Sequence, residues 1–393
     1  MERSSGLERT SAPSCPRTSS HEQRRPRSRL AQRKRSREGA GPQGARPKGR
    51  LRQPGSEEAR PAPGRQTKTQ EEVSPAAVEQ AARDLAPHLQ PTPLQHSRAF
   101  SVEAGCEVHL KLESVQPIRA FKVRGALNKL MRMSPERRAA GVITASAGNH
   151  GMGVAYAAAQ FQVAATVYVP LAANQLKVDA IKRLGARVVA AGESYHEAFV
   201  AASEEQQRTG ATFVHAYNDP NVVAGQGTVA LEMLAQLQGF DTVVVPVGGG
   251  GLIAGVSMYL KARHPSVRVI GVEPTGADAM RRSLEAGRIV TLERVNTIAD
   301  GLAASSPGTL SFDLARRYVD RVVTVEDGEM LRAIRALFEW EHLLAEPAGA
   351  AGLAALLFHR SEVGAGRRVV VVVSGANVSE EVLVQALKSR RPG

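Results

Sequence analysis

The chain has 393 residues, 42% of them hydrophobic and 4% aromatic, enough for one large or two ordinary domains built on small-residue packing. Its formal charge of +13 suggests a nucleic-acid ligand, yet residues 1–70 hold 18 of the 51 Lys+Arg and 6 of the 38 Asp+Glu. The rest of the chain, with 33 basic and 32 acidic residues, is close to neutral, so its charge gives no case for a nucleic-acid surface and no specific nucleic-acid partner is expected.

Two cysteines, Cys15 and Cys106, cannot supply a disulfide framework or a metal quartet and suit a reducing, cytoplasmic setting. No apolar run approaches the roughly 18–20 residues of a membrane helix, and the N-terminus lacks the apolar core of a secretory signal.

Residues 1–72 are rich in Arg, Pro, Gly, Ser and Gln, without apolar periodicity. Such a segment buries too little surface to offset its ordering entropy and is expected to be a disordered basic tail outside the chemistry. Order begins near Ser74, with Pro75 at the start of a helix running to Leu85. Gln90–Leu94 is an extended lead-in, Glu107–Glu113 alternates as a strand, and a helix runs from Phe121 through Leu130.

From there strand and helix alternate. Strands are predicted at Gly141–Thr144, Ala164–Val169, Arg187–Ala190, Thr212–His215, Thr242–Val247, Val267–Val272, Arg321–Val325 and Arg368–Val373. Helices fill the gaps, among them Gly151–Gln160, Asn174–Leu184, Tyr195–Arg208, Val222–Leu237 and Asp327–Leu344. This alternation implies an α/β fold of parallel sheets wound by right-handed crossovers, with ligands at the carboxyl ends of the strands.

Four segments stand at such ends. In Gln116–Ala126, Lys122 lies among Phe121, Val123 and Gly125. A lysine at a helix start is ordinarily solvated, but packed surroundings lower its pKa and make its amine nucleophilic. Thr144–Gly151, read Thr-Ala-Ser-Ala-Gly-Asn-His-Gly, offers N–H groups and hydroxyls to an anion such as a carboxylate. Gly248–Gly251 follows a β-branched run and opens a helix pattern, which makes a phosphate cradle of oriented N–H donors at a positive helix end. Alone it would read as a flexible turn. Ser374-Gly-Ala-Asn377 closes the set after the last strand.

Together these motifs, in this order and spacing, resemble the fold-type II pyridoxal-phosphate enzymes, in particular the threonine/serine dehydratase and serine racemase branch, over about Gln90 to Leu383. The resemblance implies a tryptophan synthase β-like architecture: two doubly wound parallel-sheet domains with the cofactor between them. The large domain would comprise residues 73–140 and 219–393, the small one residues 141–218. Lys122 matches the catalytic lysine that carries the cofactor, and Phe121 the ring-packing phenylalanine before it. Asn149 matches the group that hydrogen-bonds the cofactor's phenolic oxygen, and Ser146, Ala147, Gly148, Asn149 and His150 form the substrate-carboxylate loop. Gly248, Gly249, Gly250, Gly251 and Leu252 match the phosphate loop, Gly301 a glycine lining the site, Glu346 a carboxylate beside the ring, and Ser374 the residue facing the pyridine nitrogen. A serine there makes the ring a restrained electron sink, which suits elimination.

The departures are informative. The family's Thr-Gly-Ser before Phe-Lys is Ile118-Arg119-Ala120 here, and Arg119 either lies near the cofactor phosphate or points to solvent. Where racemases resemble Ser-Ser-Gly-Asn-His, with the second serine as the opposite-face acid, this chain has Ala147, which carries no proton. Gly271–Asp278 resembles the branch's divalent-cation site (Mg or Ca), with Glu273 and Ala277 as ligands; Ala279 stands where a second carboxylate belongs. A helix-capping Glu273 is the equal alternative. No segment follows Ser374–Asn377 that could form a regulatory domain, so isoleucine feedback is not expected.

The resemblance thus implies a lyase, an ammonia-lyase converting L-threonine and/or L-serine to a 2-oxo acid and ammonia. The alternatives are the same elimination on a specialised β-hydroxy amino acid such as 3-hydroxyaspartate, or racemase-like activity. It implies a small amino-acid substrate, no membrane, and a homo-oligomer, dimer or tetramer.

Overall fold

The structure, a computed structural model, describes residues 73–364 and 366–390. The basic tail, residues 1–72, and the disorder expected of it lie outside the described residues. Among the described residues ten strands form two sheets. One has six strands: β1 (Leu94–Ser97), β2 (Glu107–Leu112), β7 (Thr242–Pro246), β8 (Arg268–Pro274), β9 (Arg321–Val325) and β10 (Arg368–Val373), in the order β1-β2-β10-β7-β8-β9. The other has four: β3 (Val142–Ala145), β4 (Ala165–Val169), β5 (Arg187–Ala190) and β6 (Thr212–Phe213), in the order β5-β4-β3-β6. Every pairing is parallel except that of the edge strand β1 with β2. The α/β fold of parallel sheets expected from the alternation is therefore present.

The valine runs explain themselves at this level. In β10, Val369, Val371 and Val373 enter the core under the helices Asp327–Glu341 and Pro347–Phe358, while Val370 and Val372 enter the core on the opposite face. β7 behaves alike, with Val244 on one face and Val243 and Val245 on the other. A strand buried on both faces needs an apolar residue at every position, because side chains alternate with period two. Each buried valine contributes on the order of 1.5 kcal/mol, so a polar residue anywhere in Val369–Val373 would be felt on one face or the other.

Close helix packing is supplied by glycine. A Cβ on Gly255, in the helix Gly251–Arg263, would come within 2.3 Å of the Val223 carbonyl in the helix Pro220–Gln236. Both helices also meet Pro75–Leu85, whose N-cap Ser74 accepts from the Ala77 N–H.

Most elements lie within one or two residues of their predicted bounds, and three departures have physical causes. β1 pairs antiparallel with β2 beyond the Pro-rich lead-in, a tertiary pairing with no local alternation to announce it. β6 stops at Phe213 instead of His215, because the His215 Nδ1 accepts from the Tyr217 and Asn218 N–H groups and closes a turn. Helix Asp327–Glu341 ends three residues early, at His342 with φ +54°.

Candidate active site

The loops after β2, β3, β6, β7 and β10 converge at the carboxyl ends of the two sheets. Lys122 begins the helix Lys122–Met131, and the segment before it is stitched to the loop after β10. The Phe121 N–H donates to the Ser374 carbonyl at 3.1 Å, the Ala376 N–H to the Arg119 carbonyl at 2.8 Å, and Asn377 Nδ2 to the Ile118 carbonyl at 2.9 Å. Lys122 Nζ donates to the Ala216 carbonyl at 3.1 Å. Burial lowers its pKa from the usual lysine range to about 8, with Glu346 opposing.

Beneath this helix, buried Arg124 is held by buried Glu113 at 2.7 and 2.8 Å and by half-buried Glu232 at 2.6 and 2.8 Å. Burial works against the Glu113 charge, but the Arg124 guanidinium outweighs it and holds the carboxyl below its ordinary range. Lys111 joins the network through Glu232 at 2.6 Å. The network ties β2, the Lys122 helix and Pro220–Gln236 together.

Ser146–His150 follows β3. The Gly148 N–H donates to Ser146 Oγ at 3.2 Å, which curls the loop before the helix Asn149–Gln160. Asn149 Nδ2 donates to Glu346 Oε1 at 2.6 Å, and Asn377 Nδ2 donates to Asn149 Oδ1 at 2.7 Å. The His150 side chain does not join the loop. Its Nε2 donates to the Val214 carbonyl at 2.9 Å, which leaves Nδ1 buried without a partner. Burial first, then Lys122, push its pKa down to about 3, so this imidazole is neutral.

The Gly248–Gly251 loop is a tight cradle. Gly250 has φ +92°, and a Cβ on Gly249 would stand 2.3 Å from the Tyr217 ring. The helix Gly251–Arg263 starts here, so its unsatisfied N–H groups and positive end face the loop. Leu252 is buried behind it. Gly301 lies between this loop and Glu346: its carbonyl is 3.2 Å from where a Gly248 Cβ would be, and its own Cβ would be 2.9 Å from Ala348.

Glu346 N-caps the helix Pro347–Phe358, and its N–H donates to the Gly375 carbonyl at 3.1 Å. Its Oε2 is buried without a partner; burial, then Asp300, push its pKa up to about 7. Ser374 follows β10, its hydroxyl donating to the Ala348 carbonyl at 3.3 Å.

The Gly271–Asp278 segment takes the capping form. Glu273 accepts from the Met280 N–H at 2.9 Å and the Arg281 N–H at 2.8 Å. Asp278 is engaged by Arg281 at 2.5 Å and Arg282 at 2.8 Å, and Ala277 is buried beside them. Among the described residues no group of three or more His, Cys, Asp or Glu could hold a metal ion.

One part of the site escaped the sequence reading. His215-Ala216-Tyr217-Asn218-Asp219 forms the turn whose Ala216 carbonyl receives Lys122 and whose Tyr217 ring lies against Gly249. Ser311 Oγ donates to the Tyr217 carbonyl at 2.7 Å, and Asp219 caps the following helix. Asp-Pro after a strand was the available signal.

A buried amine held on a carbonyl, a glycine cradle that a Cβ would fill, and an unpartnered buried carboxyl oxygen together fit a phosphorylated aromatic aldehyde. Sequence comparison decides the point: the pattern of the pyridoxal-phosphate dependent enzymes matches residues 85–375. This chain belongs to that family. It is 44% identical over 306 residues to an L-threonine ammonia-lyase of Thermotoga maritima, covering 78% of this chain and 76% of the relative. It is 37% identical over 318 residues to a serine racemase of Oryza sativa subsp. indica, covering 80% and 94%. The structure of maize serine racemase superposes with a TM-score of 0.77 at 35% identity, over 80% of this chain and 97% of that one. The fold is thus that of the fold-type II pyridoxal-phosphate enzymes.

Proposed function

We propose that this family member is an ammonia-lyase that converts L-threonine and/or L-serine to the 2-oxo acid and ammonia. The observation that carries the reading is the Lys122 amine held on the Ala216 carbonyl, in a chain whose racemase-acid position is the protonless Ala147. The relatives named L-threonine ammonia-lyase support the substrate class.

Pyridoxal phosphate, when bound, supplies an aldehyde for the substrate amine and a ring that withdraws electrons from the α-carbon. The phosphate belongs at Gly248–Gly251, where N–H donors and the helix end favour an anion. Ser146–Asn149 would hold the substrate carboxylate and so turn the Cα–H toward Lys122. With its pKa lowered to about 8, Lys122 has a far larger neutral fraction at neutral pH than a solvated lysine, and its Nζ takes the α-proton. The Ala216 carbonyl orients that nitrogen. Ser374, a neutral hydroxyl, cannot hold a ring nitrogen charged as a carboxylate would, which disfavours a long-lived carbanion. The β-hydroxyl leaves as water, and a water is taken back when the enamine product hydrolyses, so threonine balances as 2-oxobutyrate plus ammonia.

Two finer points belong to the same proposal. Residues 73–140 with 219–393, and 141–218, act as large and small domains, assembled as a homo-oligomer in the cytoplasm; light scattering checks the assembly. Among the described residues no helix is long and apolar enough to cross a membrane. Glu273 serves as a helix cap rather than a Mg or Ca ligand with Ala277, since both its oxygens accept helix N–H groups. A chelator should then leave melting temperature and turnover unchanged.

The deciding assay is 2-oxo acid release from L-threonine and L-serine by the yellow, cofactor-loaded protein. Lys122→Ala should abolish it; an active Lys122→Ala protein overturns the mechanism.

A further inference from the structure

Helix Gln175–Arg183, after β4, carries Lys177 in its first turn, behind the N-cap Asn174. A cation there faces the positive end of the helix dipole and weakens the helix, so the position serves something other than local stability. The surrounding rim faces solvent with apolar side chains, Leu171 60% and Leu176 67% exposed, while the Lys177 side chain is only 18% exposed. It is turned inward onto Asp300, 123 residues away in the chain, with which it forms an ion pair.

Asp300 opens the short 3-10 turn Asp300–Leu302. Its neighbour Gly301 lies between Gly248 of the phosphate loop and Ala348 beside Glu346. The pair therefore joins the rim of the four-stranded sheet to a loop that lines the site on the side of the six-stranded sheet. A second link between the two sides, Asn149 to Glu346, lies deeper and is built from an amide and a buried carboxyl. The two links converge on the same carboxyl, since Asp300 and Lys177 are both close enough to bear on Glu346. The deep link is enclosed. The rim link is charged, partly exposed and weak enough to break reversibly.

We propose that Lys177 and Asp300 form a latch across the cleft, a positioning pair that holds the Gln175–Arg183 helix against the Asp300–Leu302 turn and keeps the site closed over bound amino acid. Opening the latch lets substrate in and product out. Closing it presses Gly301 toward the phosphate loop and Glu346. The kinetic arm of the test rests on the lyase reading; the exchange arm does not.

The experiment compares wild type with Lys177→Met, Asp300→Asn, Lys177→Arg and the reversed pair Lys177→Asp/Asp300→Lys, all in cofactor-loaded full-length protein. Each charge-removing single variant should raise KM for L-threonine about two- to fivefold, the range of an exposed or half-exposed pair, with melting temperature unchanged. Lys177→Arg and the reversed pair should recover much of the loss, and salt should raise the wild-type KM toward the variants' value. Hydrogen exchange in residues 171–180 should quicken in both single variants. Wild-type KM and wild-type exchange in the single variants, or a reversed pair no better than either, overturns the latch. If wild type itself turns over neither amino acid, the lyase reading falls and exchange alone decides: faster exchange in both single variants upholds the latch, unchanged exchange overturns it.

Discussion

His150→Gln tests the electrostatics of the candidate site without touching Lys122. The imidazole is buried near Lys122 and His215, and its Nε2–H is committed to the Val214 carbonyl. Its pKa is pushed down to about 3 in the folded protein, against about 6.5 in an unfolded chain. The unfolded state therefore binds a proton that the folded state refuses. Stability from this residue is complete above pH 6.5 and is lost as pH falls toward 3.

Between pH 7 and 5 the unfolded chain gains about 1.5 pH units of proton binding at 1.36 kcal/mol per unit, so His150 removes about 2 kcal/mol over that interval. Glutamine keeps a donor for Val214 and has no proton to gain. Urea unfolding at pH 7 and pH 5, at one cofactor concentration, should show wild type losing about 2 kcal/mol more than His150→Gln over that interval. His215, also lowered, to about 4, stays in both proteins and drops out of the difference. Equal losses in the two proteins would refute the burial argument, whatever the absolute stability of the variant; His150→Asn repeats the comparison if glutamine does not fit.

Three further outcomes are expected. Gly249→Ala places a Cβ where the Tyr217 ring stands, so cofactor affinity, read by absorbance titration, should fall at least tenfold, by a few kcal/mol of strain. Arg119 has φ +57°, where the family has glycine, so Arg119→Gly should raise stability by about 0.5–1 kcal/mol in thermal unfolding, relief of strain outweighing the added unfolded-chain entropy. Arg124→Met leaves Glu113 and Glu232 without their guanidinium and should cost roughly 3–5 kcal/mol in urea unfolding; a cost below about 1 kcal/mol would mean that the network is not desolvated as described.

Much of the site was legible because its chemistry demands residue types that are rare in combination. Four glycines after an apolar strand, a lysine in packed company and an asparagine loop at another strand end each signal a close backbone approach or a ligand. His150 lies in the Ser146–His150 loop by sequence, while its ring is committed to the Val214 carbonyl, a contact that only the tertiary structure shows. The His215–Asp219 turn was overlooked because a histidine accepting two backbone N–H groups leaves no periodic trace. Arg119 was left between phosphate and solvent. It is exposed, with its backbone in the left-handed region.

Local sequence thus determined the strand–helix alternation, the doubly buried valine strands and the identity of the loops at the strand ends. Periodicity and glycine chemistry act over a few residues, where the chain carries its own information. Only the tertiary structure decided which groups meet: Lys122 with the Ala216 carbonyl, Asn149 with Glu346, Arg124 with Glu113 and Glu232, and Lys177 with Asp300. These partners lie 11 to 197 residues apart. Their pairing follows from sheet order and helix packing, which no local pattern encodes.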